Sequence, residues 1–97
     1  MSAFQAVLGG VVLARSDETV LVDGYRYFPW DSITEDLLRP TKAKSLCVWK
    51  GVASWYDVAV EGRRMPRVAW TYRHPSPLAR RIKGHVAFWG DVRIEKL

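Results

Sequence analysis

The chain has a single cysteine, Cys47, and only two histidines, His74 and His85. One thiol forms no internal disulfide, and one Cys with two His falls short of a structural zinc set. No metal and no cofactor are therefore expected, and a reducing compartment fits best. Long apolar runs are also lacking. Phe4 to Ala14 is apolar, yet no Lys or Arg precedes it and Gly9-Gly10 interrupts it. At about eleven residues it falls well short of the roughly 20 that span a bilayer. These absences give the expectation of a soluble, cytoplasmic protein with no membrane partner. Catalytic signatures are missing too: there is no G-x-x-x-x-G-K-[ST] loop, no G-x-S-x-G elbow and no H-E-x-x-H. Nor do two acids stand one residue apart, the spacing that sets paired carboxylates on one strand face to share metal ions.

What the chain does have is aromatic and branched aliphatic mass. Five Trp, four Tyr and three Phe in 97 residues exclude a disordered tail or a collagenous repeat. The length allows one core, so residues 1–97 are expected to form a single domain, and a thin one. The net charge of +5 is unevenly spread. Residues 1–38 carry six acids and two bases, whereas residues 39–83 carry eleven bases and two acids. A basic middle steers anionic partners, or simply lines wet strand edges where Lys and Arg deter edge pairing.

Turn chemistry divides the rest. Gly10 to Ala14 is a continuous apolar run. Val20 to Val22 leads into Asp23-Gly24, a strong hairpin signal that returns through Tyr25, Tyr27 and Phe28. Asp31 is placed to cap a short helical turn carrying Ile33, Leu37 and Leu38, which Pro40 would end. Val52 to Val60 alternates, with Val52, Ser54, Tyr56, Val58 and Val60 on one face, and Glu61-Gly62-Arg63 as its turn. Arg67 to Arg73 puts Val68, Trp70 and Tyr72 inward and Arg67, Ala69, Thr71 and Arg73 on a wet face. Ser76-Pro77 reads as a capped second helix start, with Gly84 as its stop. His85 to Trp89 and Val92 to Glu95 are the last strands. The expected fold is mainly β: a compact antiparallel sheet with two short helices.

Two constellations bear chemistry. In Cys47-Val48-Trp49-Lys50-Gly51, a lysine three residues from a thiol could stabilise the thiolate, making Cys47 a candidate nucleophile with His85 as acid or base. The same Cys47 could instead pack as a small hydrophobe, and Lys50 could run its stem along an aromatic wall. The second constellation is aromatic: Trp70 and Tyr72, with Trp30, Trp49, Trp55 and Trp89 elsewhere, exceed what a thin core needs. An aromatic pocket with a lysine and a histidine at its rim is the shape of a small-molecule site.

Taken in order, Gly9-Gly10-Val11-Val12-Leu13-Ala14-Arg15-Ser16, Tyr27-Phe28-Pro29, Cys47-Val48-Trp49-Lys50-Gly51, Ala69-Trp70-Thr71-Tyr72, Pro75 and Gly84-His85-Val86-Ala87-Phe88-Trp89 resemble the small bacterial family called domain of unknown function 427. The resemblance runs over nearly the whole chain. It implies a mostly β domain grouped with the Mss4-like, or β-tent, architectures. Relatives of that architecture hold zinc through paired C-x-x-C motifs, which this chain lacks. The family also carries the label nucleotidyltransferase, a chemistry that needs a glycine turn followed by paired carboxylates; here Gly9-Gly10 is followed by the isolated Asp23. The family's C-P-Y-K-G segment appears with Val48 and Trp49 in place of Pro and Tyr.

Three functions follow as expectations. The leading one is binding of a small anionic or aromatic ligand by Cys47, Lys50, Gly51, Trp70, Tyr72 and His85. An enzyme built on Cys47 and His85, or a nucleotidyltransferase as the family label implies, is the second. Nucleic-acid or polyanion binding through Arg63, Arg64, Arg67, Arg73, Arg80, Arg81 and Lys83 is the third, weakened because Trp70 and Tyr72 would face away from Arg67 and Arg73. Nothing in the sequence requires an oligomer.

Overall fold

Tight reversals cut the chain into nine strands among the residues that the computed structural model describes, 2–97. Gly9-Gly10 turns β1 (Phe4–Leu8) onto β2 (Val11–Ser16), and Asp23-Gly24 turns β3 (Val20–Val22) onto β4 (Tyr25–Tyr27). Asp23 (φ 52°) and Gly24 (φ 82°) are both left-handed, the backbone of a two-residue turn whose twist suits a hairpin. Glu61-Gly62 likewise joins β6 (Gly51–Val60) to β7 (Arg63–Thr71). The remaining strands are β5 (Leu38–Cys47), β8 (Val86–Phe88) and β9 (Arg93–Lys96). Every strand pairing is antiparallel, so the fold is mainly β, as expected.

The strands form a three-stranded sheet in the order β2-β1-β9, a four-stranded sheet in the order β5-β6-β7-β8, and the separate β3-β4 hairpin. The four-stranded sheet is covered on both faces. Tyr56, Val58, Val86 and Phe88 pack with Ala6, Leu8, Leu13 and Ala14 of the three-stranded sheet in one core. On the opposite face Ala53, Trp70, Tyr72 and Ala87 pack with Tyr27 of the hairpin and with Ala79 and Ile82. Strand alternation explains the split, since Val86 and Phe88 join one core while Ala87 between them joins the other. Phe28 follows β4 and crosses to the first core, where it exchanges two backbone hydrogen bonds of 2.8 Å with Val86.

Two-sided cover corrects one expectation. Ala69 and Thr71 do not lie on a wet face: they are 0% and 2% exposed, because a sheet sandwiched between layers has no solvated side at its centre. Helices also differ from expectation. In place of two capped helices the described residues hold three short 3₁₀ segments, Trp30–Ser32, Glu35–Leu37 and Pro77–Ile82. Asp31 lies inside the first rather than capping it; Pro29 stands at the cap position, with no side-chain cap bond. Pro40 does not end a helix but sits within β5, which has one free edge and a register shift between Pro40 and Lys44, where a missing N–H is tolerated. Ser76 precedes Pro77 as expected, yet its hydroxyl bonds the Trp49 carbonyl instead of capping. No helix among the described residues is long and apolar enough to cross a membrane.

Candidate functional site

The aromatic site grows out of strand register. Trp55 of β6 stands directly opposite Trp70 of β7, and their ring centroids lie 5.1 Å apart at 41°. The β3-β4 hairpin lays Tyr25 and Tyr27 against Trp70, Tyr25 edge-on at 4.9 Å and Tyr27 at 6.3 Å. Trp89, just after β8, meets Trp55 edge-on at 6.3 Å. With Tyr72 and Lys50 these rings line an open cavity of about 240 Å³.

The indole N–H groups of that cavity are already engaged. Trp70 Nε1 donates to the Tyr27 hydroxyl at 3.2 Å, Trp55 Nε1 to Ser45 Oγ at 2.9 Å, and Trp89 Nε1 to the Arg67 carbonyl at 2.7 Å. The rings are thereby fixed in orientation; Trp89 is 49% exposed, whereas Trp70, packed by Trp55 and Tyr25, is 6% exposed.

Lys50 enters from the loop between β5 and β6. Its N–H donates to the Cys47 carbonyl at 3.2 Å, and its carbonyl accepts from Ser76 N–H at 2.9 Å, docking the loop on the segment before Pro77. Gly51 has φ 114°, and a Cβ there would stand 3.4 Å from the His74 carbonyl oxygen. That backbone angle is what favours glycine here. Lys50 is 7% exposed, and its Nζ lies 2.8 Å from Asp23 Oδ2, 5.4 Å from the Trp49 ring centroid and 5.8 Å from that of Tyr72. A buried ammonium needs such a partner.

Charge states follow from these contacts. The Lys50 hydrogen bond holds the Asp23 carboxyl below its ordinary range. Burial works against the Lys50 charge, but the Asp23 hydrogen bond and the adjoining phenols outweigh it and keep the ammonium above its usual value. Burial pushes the Tyr27 and Tyr72 phenols up. At neutral pH the Lys50 ammonium that lines the cavity is therefore paired with the Asp23 carboxylate outside it and flanked by neutral hydroxyls.

Of the residues singled out from sequence, the structure brings Lys50, Trp70 and Tyr72 to one cavity. Cys47 packs half-buried against the same aromatic core, and Gly51 shapes the backbone. No side chain among the described residues donates a hydrogen bond to the Cys47 thiol, and the Lys50 ammonium is bonded to Asp23 instead. His85 does not line the cavity. Its Nδ1 lies 3.0 Å from the Lys83 carbonyl oxygen, and its own carbonyl accepts from Thr71 Oγ1 at 2.7 Å. Asp23, Tyr25, Tyr27, Trp55 and Trp89 were not foreseen as site residues. The excess of tryptophan was the available signal for two of them, but pairing Trp55 with Trp70 requires the β6-β7 register.

The basic residues divide into two groups. Arg63, Arg64 and Arg67 stand in the first half of β7, whereas Arg73, Arg80, Arg81 and Lys83 lie beyond its other end. Pairing puts Arg64 opposite Ala59 and Thr71 opposite Ser54, five β6 residues or about 17 Å apart, with Arg73 beyond Thr71. Arg64 Nε pairs with Asp57 at 2.7 Å, and Arg73 donates to the Tyr56 hydroxyl at 3.1 Å. Gly9 lines a different cavity, of about 270 Å³, with Val60, Glu61, Arg63 and Asp91, while Asp23 belongs to the Lys50 site. The glycine turn and the carboxylate thus stand in different places. Residues 2–96 match the family described as domain of unknown function (DUF427). No curated protein matches the chain.

Proposed function

The chain belongs to the domain of unknown function 427 family, and from that membership and its aromatic cavity we propose that it binds a small planar aromatic ligand among Trp55, Trp70 and Trp89. One observation carries the reading: three indole N–H groups are bonded within the protein, so fixed ring faces are what the cavity offers. The floor adds polarity. The Lys50 ammonium, held by Asp23, and the Tyr27 and Tyr72 hydroxyls supply polar groups that suit a ring with polar edge atoms. A purely anionic ligand is less favoured at this floor, because Asp23 already neutralises Lys50 and would have to be displaced. Catalysis by Cys47 has less support, since Lys50 and His85 are both bonded elsewhere.

The test is a titration of isotopically labelled protein with indole, adenosine and p-cresol, read at the tryptophan indole and backbone amide resonances. Shifts at Trp55, Trp89 and Lys50, weakened in Trp89→Ala and Tyr25→Ala, are the expected result; both side chains lie at the exposed rim and their loss should spare the fold. Shifts with none of these compounds, or shifts only at residues 63–83 with a short oligonucleotide at low salt, would overturn it.

A further inference from the structure

Two connections meet at one end of the four-stranded sheet. The turn at 48–50 joins β5 to β6, and the loop at 73–83 leaves the end of β7 and returns to it, closed by a bridge between Tyr72 and Lys83. Thr71 pairs with Ser54, so both stand beyond the same end of their strands. They are also bonded together: Ser76 N–H donates to the Lys50 carbonyl and its hydroxyl to that of Trp49.

This end is apolar at its tip. Val48, Leu78 and Leu46, at 96%, 78% and 74%, are the three most exposed large apolar side chains among the described residues, and Val52 and Trp49 are exposed beside them. Leu46 and Val52 pair across β5 and β6, so they stand side by side on one face below the turn. Single exposed aliphatics are ordinary on a protein surface, but a cluster of the most exposed ones marks a contact.

The same end is basic. Residues 40–56 hold no acid, nor do residues 65–90. Lys50 is matched by Asp23, whereas Lys44, Arg80, Arg81 and Lys83 form no salt bridge among the described residues. Arg80 and Arg81 follow Leu78 in the same 3₁₀ segment, Lys83 closes the loop, and Lys44 shares a face of β5 with Leu46. Acids stand at the other end: Glu61 turns the far end of β6 and shares a cavity with Asp91, and Glu35 and Asp36 precede Leu38, which pairs with Val58.

We propose that this end docks on the surface of an anionic lipid bilayer, with Val48, Leu46 and Leu78 entering the headgroup layer and Arg80, Arg81, Lys83 and Lys44 against the lipid phosphates. No helix among the described residues is long enough to cross a bilayer, and surface docking needs none: it takes a few buried apolar side chains together with several bases. A side chain as exposed as Val48 is a projecting point. A fluid layer closes around such a point, whereas a rigid protein face would need a pocket shaped to receive it. Trp49, beside the tip, is a residue type that favours the membrane–water boundary.

Vesicle flotation tests this, with phosphatidylcholine alone against phosphatidylcholine mixed with phosphatidylserine. The protein should float with the mixed vesicles and stay behind with the neutral ones. Val48→Ser and Leu78→Ser should each weaken binding about tenfold, the effect of withholding one aliphatic side chain from an apolar phase. Arg80→Gln combined with Arg81→Gln should weaken it roughly thirtyfold, and Val48→Leu should keep it. All these side chains are exposed, so thermal melts should not move. No flotation with the mixed vesicles would overturn the proposal. Flotation that both serine variants leave intact would mean adsorption by charge alone, and the apolar tip would be wrong. Soluble polyglutamate binding as tightly as the vesicles would assign the surface to an acidic protein, and self-association lost in Val48→Ser would assign it to a second copy of the chain; either would overturn it too.

Discussion

Lys50 Nζ and Asp23 Oδ2 stand 2.8 Å apart, joining the loop before β6 to the tip of the β3-β4 hairpin, with the Lys50 side chain 9% exposed and that of Asp23 50% exposed. The pair is lopsided, and so are the consequences of breaking it. Asp23→Asn leaves a buried ammonium without its counter-charge, whereas Lys50→Met leaves a carboxylate that water can solvate and keeps an apolar stem against the rings. Thermal melts should show the larger drop for Asp23→Asn. A larger drop for Lys50→Met would mean that the lysine is held by something other than this carboxylate.

The same pair shapes the pH profile. Lys50 holds the Asp23 carboxyl below its ordinary 3.8, so this contribution to stability is present above that value and fades as pH falls through the lowered one. The Lys50 ammonium is held above 10.5 despite burial, so its contribution is full below 10.5 and is lost as pH climbs through the raised value. Urea midpoints measured across pH should decline at both extremes, and Asp23→Asn should flatten both limbs. Asp57 keeps some acid sensitivity in that variant: burial raises its carboxyl, but Arg67 N–H and Arg64 outweigh this and hold it low.

Gly51→Ala should destabilise by about 1–3 kcal/mol, the usual scale for a strained backbone angle. The φ of 114° disfavours any side chain, while the new Cβ would only touch the backbone of His74, Pro75 and Ser76 at 3.4–3.5 Å, so the cost comes from the backbone angle. Equilibrium unfolding in urea checks it. An unchanged midpoint would show that the loop relaxes freely.

Asp57→Ala should cost about 1–2 kcal/mol by freeing Arg67 N–H and Arg64 from a charged acceptor. Because Arg67 also receives the Trp89 indole bond, the Trp89 indole resonance should move as well. A stability loss with that resonance unmoved would uncouple the Asp57 contacts from the ring.

Cys47 should alkylate more slowly in the native protein than in denaturant, because it is half-buried against the Tyr27 and Trp70 core. Rapid native alkylation near neutral pH would instead restore the nucleophile reading.

Much of the fold was legible where local chemistry alone decides. Asp23-Gly24 and Glu61-Gly62 are turns because their residues tolerate left-handed backbone, and the alternation from Val52 to Val60 places Ser54, Tyr56, Val58 and Val60 on a buried face, while Val52 at the strand's start is 52% exposed. β5 was not legible: Pro40, Lys42 and Lys44 give it no apolar period, and its edge position and pairing with β6 hold it extended. The wet face assigned to Ala69 and Thr71 failed because alternation within one strand does not reveal a layer contributed by another segment. The site divides the same way. Lys50, Trp70 and Tyr72 were visible as residue types, but Asp23, Tyr25 and Trp89 reach them only through tertiary folding.

β1 is the middle strand of its sheet, bonded to β2 on one side and to β9 on the other, with Gln5 Nε2 donating to Glu95 at 2.8 Å across that second seam. Its first partner is supplied within a few residues, its second almost ninety residues later. During synthesis the ladder must therefore wait half-finished, and its unpaired side is where a nascent chain is most open to mispairing with a neighbour. Refolding should be slow for a protein this small, with closure of the β1-β9 seam deferred until that long intervening loop has collapsed.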